Sequence, residues 1–80
     1  MDTSTAVRQR ILDLCRQRGI TVNRLATISG VTQSTVNNII SGRNDSATLS
    51  TVKKLCDGLD ISITEFFASP EFEGLEQEIK

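Results

Sequence analysis

Five side chains within one short stretch, Thr32, Gln33, Ser34, Asn37 and Asn38, offer amides or hydroxyls and no charge. Groups of this kind exchange directional hydrogen bonds with base edges in the major groove of DNA. Gln or Asn pairs bidentately with adenine there, and a small side chain touches the thymine methyl. A helix made only to be soluble more commonly shows Glu and Lys on its outer face. The residue types that carry catalysis are sparse by comparison. There is no histidine, which removes the commonest general base, the commonest zinc ligand and every triad that needs an imidazole. Cys15 and Cys56 stand far apart and lack partners at the two-residue spacing of a zinc or redox motif. They are expected as reduced, buried thiols on apolar helix faces. No enzyme activity, metal, cofactor or small-molecule ligand is expected.

Those side chains need a scaffold, and a chain of 80 residues has room for one core. Hydrophobic residues make up 38% and charged residues 24%, which is too apolar and too mildly charged for a disordered chain. Phe66, Phe67 and Phe72 are its aromatic residues, so the core is aliphatic and suits helices better than strands. The net charge of -1 hides a division. Residues 1–56 carry eight Arg and Lys against three Asp, a net of +5, whereas residues 57–80 carry Lys80 against seven acids, a net of -6. A basic surface backed by an acidic region fits that division. Neither a signal peptide nor a membrane span is expected, because the longest apolar run is Phe66-Phe67-Ala68; the expected location is cytoplasmic.

Periodicity and punctuation divide the chain into helices. Residues 5–18 place Val7, Ile11, Leu14 and Cys15 on one stripe, with Gly19 as the stop and Arg16 and Arg18 in the last turn. Thr21 caps a second helix over 22–29, with Val22, Leu25, Ala26 and Ile28 inward and Gly30 at its end. Thr32 caps a third over 33–41, with Val36, Ile39 and Ile40 inward and Gly42 at its end. Residues 43–47 read as a polar loop, and Thr48 caps a fourth helix over about 49–59 with Leu49, Val52, Leu55, Cys56 and Leu59 inward. Ser62 and Glu65 form a capping box for a short fifth helix with Ile63, Phe66 and Phe67 inward. Ser69-Pro70 opens a last turn or two, with Phe72, Leu75 and Ile79 on one side.

Residues 22–41 then hold two short helices joined by Gly30-Val31-Thr32. A helix-turn-helix needs a small residue where its helices cross, here Ala26, and a glycine at the sharp turn, here Gly30. Leu25, Val31, Val36 and Ile39 supply the inward face, which leaves the uncharged set of the third helix outward.

On these residues the sequence resembles the Cro and phage-repressor type of helix-turn-helix regulator, the XRE family, over about residues 8–67. The likeness is carried by Ile11 and Leu14, Gly19-Ile20-Thr21, Leu25-Ala26, the run from Gly30 to Val36, Ser41-Gly42-Arg43, the run from Thr48 to Cys56, and Leu59-Asp60-Ile61-Ser62 with Glu65-Phe66-Phe67. It is particularly similar to the small regulators of low-GC Gram-positive bacteria. The resemblance implies an all-α, five-helix, lambda-repressor-like DNA-binding domain over 5–68, with its helix-turn-helix at 22–41. A short acidic C-terminal extension, 69–80, follows. It also implies a homodimer on double-stranded operator DNA, with the third helix in the major groove and no membrane association. Thr32, Gln33, Ser34, Asn37 and Asn38 would contact bases, and Thr21, Asn23, Ser41 and Arg43 would approach phosphates. Val22 stands where the family often has a phosphate-clamping Gln, and Cys15 and Ile40 where some phage repressors pair Arg with Glu. That apolar pair is expected to touch. The expected function is transcriptional regulation, most simply repression; the alternative is an antitoxin or protein-interaction module on the same scaffold.

Overall fold

The computed structural model describes residues 1–42 and 47–79. Five helices run in the order α1 (Thr3–Arg18), α2 (Val22–Ser29), α3 (Gln33–Ser41), α4 (Leu49–Leu59) and α5 (Ile63–Phe67), followed by a 3-10 turn at Pro70–Phe72. The architecture is all-helical among the described residues, as the periodicity predicts.

Each helix starts where a polar side chain takes over an amide that has no partner within the helix. Asp2, Thr21, Thr32, Thr48 and Ser62 accept from the backbone N–H three residues on. The cap at Asp2 starts α1 two residues earlier than the apolar stripe indicates, at Thr3. The stops of α1, α2 and α4 share one device. The residue after the helix turns left-handed (Gly19, Gly30, Asp60), and the amide of the next residue reaches back to the helix (Ile20 to Cys15, Val31 to Ala26, Ile61 to Cys56, 3.0–3.1 Å). Ile20, Val31 and Ile61 lie against the core, which is the apolar contact that accompanies this motif.

The core is formed by Ala6, Val7, Ile11, Leu14 and Cys15 from α1, Leu25 and Ala26 from α2, Val36 and Ile39 from α3, Val52, Leu55, Cys56 and Leu59 from α4, and Phe66 from α5. Helices as short as α2 and α3 are marginal in water by themselves. Packing holds them in place, α2 against α4, α3 and α1, and α3 against α2 and α1. Cys15 is buried in the core, and Ile40 is half-buried against that core.

The apolar stripe misplaces three side chains. Ile28 is exposed, because it lies on the flank of the inward face of α2; Ser29, one residue on, is the one turned towards α4, where Gly58 gives it room. Leu49 is 65% exposed at the first position of α4, whereas Val52, three residues on, is buried. Phe67 remains 37% exposed at the rim of an aromatic trio, with its ring 5.0 Å from that of Phe66 and 4.9 Å from that of Phe72.

The end of the chain also departs from a helical stripe. Phe72 packs against the chain's own core, Leu75 is half-buried and Ile79 is 82% exposed. Gly74 takes a left-handed φ of 66°, which turns the backbone so that the Glu76 amide donates to the Met1 carbonyl at 3.1 Å. Arg10 of α1 ties α5 down from the other side. Its guanidinium donates through Nε to the Phe66 carbonyl and through Nη2 to the Glu65 carbonyl, both at 2.7 Å. The Glu65 carbonyl also takes the Ala68 amide at 3.3 Å, and both carbonyls lie in the last turn of α5, which ends on Ala68 without a left-handed cap.

Candidate nucleic-acid interface

The polar positions of interest sit on and around α3. Burying Val36 and Ile39 fixes the rotation of this helix and turns Gln33, Ser34 and Asn37 outward, where all three are exposed. Asn38 is half-buried beside them, and its carbonyl accepts from the Ser41 hydroxyl at 3.3 Å. Thr32, exposed at the N-cap, accepts from the Thr35 amide at 3.3 Å. Its hydroxyl oxygen lies 2.7 Å from that of Thr35 and 3.4 Å from that of Ser34. The hydroxyls of Thr32 and Ser34 and the amides of Gln33 and Asn37 are thereby exposed together on the outward side of α3, with Thr35 and Asn38 half-buried beside them.

The residues proposed for phosphates lie at helix ends. Thr21, exposed, accepts from the Arg24 amide at 3.0 Å as the cap of α2. Asn23 is exposed in the first turn, its carbonyl taking the Thr27 hydroxyl at 3.1 Å. Ser41 is exposed at the last position of α3. Arg43 lies outside the described residues. Beside Ser41, Gly42 takes a φ of 77°, and a Cβ there would stand 3.5 Å from an Arg8 guanidinium nitrogen. Arg8 thus brings a cation to the negative end of the α3 dipole. Sequence periodicity could not assign that role, since the approach joins α1 to the far end of α3.

Electrostatics favour an anion on the same elements. The first turns of α2, α3 and α4 contain no acidic residue, so the positive ends of these helix dipoles are left unneutralised. In α5, by contrast, Glu65 closes the capping box on Ser62. Not every cation in the first two-thirds of the chain is free to meet a phosphate, however. Arg10 is engaged with α5, Arg16 pairs with Asp13 at 2.9 Å, and Lys53 pairs with Asp57 one turn along α4. Cys15 and Cys56 are buried, and desolvation raises both thiols above the ordinary value. That environment suits packing and disfavours the reactive thiolate. Among the described residues, no helix is long and apolar enough to cross a membrane.

Comparison with known proteins agrees with this geometry. The sequence profile of the helix-turn-helix family matches residues 11–66. The HTH-type transcriptional regulator PuuR of Escherichia coli (strain K12) is 33% identical over 70 residues, as is PuuR of Shigella flexneri. The match spans 88% of this chain and 37% of each relative, so the chain corresponds to little more than a third of their length. Among solved structures, that of the prophage Lp1 protein 11 superposes with a TM-score of 0.81 and 37% identity, over 94% of this chain and 100% of that one.

Proposed function

The chain belongs to the helix-turn-helix family of Cro and phage-repressor type, and on that premise we propose that it binds a specific double-stranded operator and regulates transcription by occupying it. The observation that carries the reading is the outward face of α3. Gln33, Ser34 and Asn37 are exposed, uncharged and opposite the buried Val36 and Ile39, at a helix start free of acidic residues. In this reading Thr32, Gln33, Ser34, Asn37 and Asn38 meet base edges in the major groove. Thr21, Asn23, Ser41 and Arg43 hold phosphates and fix the register. The protein acts in the cytoplasm as a homodimer and without a cofactor, and it represses by excluding other proteins from the occupied site.

Two copies related by a two-fold axis would place the two recognition helices about 34 Å apart, one turn of the duplex. Selection of bound duplexes from a random-sequence pool tests the proposal. The expected product is a two-fold symmetric site whose half-sites are one turn apart. Its affinity should fall on a log-log salt plot with a slope of about 0.9 per phosphate neutralised. A pool that shows no enrichment at low salt overturns the reading.

A further inference from the structure

Ser41 stands at the last position of α3, where the carbonyl ends of the helix carry partial negative charge. A phosphate brought to that end is repelled by the helix dipole, so holding one there calls for a cation between the two. The fold supplies that cation from another helix. Arg8 of α1 reaches the turn that closes α3, where a Cβ on Gly42 would stand 3.5 Å from its guanidinium Nη1. Gly42 lies between Ser41 and Arg43, the two residues assigned to phosphates at this end of the interface.

The fold does not use up this guanidinium. Arg8 is half-buried, and among the described residues it makes no hydrogen bond and no ion pair. Arg10, Arg16 and Lys53 differ in this respect, being committed to the end of α5, to Asp13 and to Asp57. The turn itself takes none of the Arg8 donors. The Gly42 amide serves the Asn38 and Ile39 carbonyls, and the Ser41 hydroxyl donates to the Asn38 carbonyl as well. Asp2 feels the Arg8 charge only as the smallest of the influences that lower its carboxyl, the Thr5 side chain and the Thr5 amide coming first. An arginine fork has five N–H donors, enough to face a helix end and a phosphate together.

We propose that Arg8 is a phosphate-binding residue of the DNA interface, bridging the negative end of α3 and a backbone phosphate that the Ser41 hydroxyl also meets. This rests on the DNA-binding reading above and adds α1 to an interface otherwise drawn from α2, α3 and the residue after α3. A contact to phosphate carries no sequence information, so its loss weakens every duplex alike.

The test is a salt titration of wild type, Arg8→Gln, Arg8→Met, Arg8→Lys and Arg16→Gln on the selected duplex and on a scrambled one, with thermal melting of each protein. Arg8→Gln and Arg8→Met remove the charge, the second keeping an apolar stem against the fold. Both should bind the two duplexes more weakly by the same factor, and their log-log salt slope should be shallower than that of wild type by about 0.9. Between 50 and 200 mM salt, wild type should accordingly lose about threefold more affinity than either neutral variant. Arg8→Lys keeps the charge and should keep the slope. Arg16→Gln changes the net charge equally but removes a cation already paired with Asp13, and should also keep the slope. A slope unchanged in both neutral variants, whether or not their melting temperature falls, makes Arg8 a structural brace and overturns the proposal while DNA binding stands. An equal loss of slope in Arg16→Gln overturns it too, since the effect is then one of net charge. Failure of wild type to bind either duplex at low salt overturns this proposal and the DNA-binding reading together.

Discussion

Gly58 sits inside α4, one residue before its end, and its lack of a side chain sets how closely α2 and α4 approach. A Cβ there would overlap the Ser29 hydroxyl and stand 3.1 Å from the Ser29 Cα and Cβ. Two effects of Gly58→Ala oppose each other. Alanine is favoured over glycine in a helix interior by about 0.8–1.0 kcal/mol. Overpacking a close seam costs about 1–3 kcal/mol, and contact with a Cα puts this case in the upper part of that range because backbone cannot rotate away. The net expectation is a loss of about 1–2 kcal/mol, or roughly 4–8 °C of melting temperature per kcal/mol in a domain of this size.

Ser29 provides the control. Its hydroxyl oxygen is buried without a hydrogen-bond partner, a condition that costs about 1–3 kcal/mol. Ser29→Ala should therefore raise stability by about 1 kcal/mol. In that background Gly58→Ala should be milder by about 1 kcal/mol, since the hydroxyl overlap is gone and the Cα and Cβ contacts remain. Denaturant titration of the four proteins in the cycle measures both terms. A Gly58→Ala variant that is more stable than wild type by the helix-propensity difference alone would refute the packing argument.

Arg10→Ala removes two charge-assisted bonds to the end of α5 and should cost about 2–3 kcal/mol in denaturant melts, with hydrogen exchange in α5 rising most. The Asp2 carboxylate, stabilised first by the Thr5 side chain and then by the Thr5 amide, is held below the ordinary value of 3.8. Its contribution is thus complete above that value and lost as pH falls through the lower folded one, so the melting difference between wild type and Asp2→Ala should be constant at neutral pH and close only in that acid range. The thiols of Cys15 and Cys56, buried and raised by desolvation, should react with an alkylating reagent at the rate of unfolding, and burst labelling of native protein would contradict their place in the core.

Much of the architecture was legible because it is written locally. Thr21, Thr32, Thr48 and Ser62 announce helix starts, and Gly19, Gly30 and Gly42 announce stops, through rules that involve a few neighbouring residues. Side-chain direction was legible only in the middle of each helix. Ile28, Leu49 and Phe67 fit an apolar stripe, yet whether a stripe is covered depends on where the partner element ends, and single-helix periodicity holds no such information. Long-range polar contacts were invisible for the same reason. Arg10 reads as one more basic residue in a basic segment until α5 folds beneath it, and Ser29 reads as a solvent-facing helix end until Gly58 brings α4 close. The tail shows the limit most plainly. Phe72, Leu75 and Ile79 have helical spacing, but Gly74 turns the chain, Phe72 closes the core and Ile79 faces solvent.

The outward face of α3 is the centre of the functional account, and competition between two duplexes tests it most directly. Wild type, Gln33→Ala and Asn37→Ala would be titrated at one salt concentration against the selected site and against a scrambled duplex of the same composition. Each substitution is expected to cost about 1–3 kcal/mol on the selected site and to leave the scrambled duplex nearly unaffected, because these side chains read bases and do not hold phosphates. Equal losses on both duplexes, or no loss on either, would contradict the assignment of α3 as the reading helix.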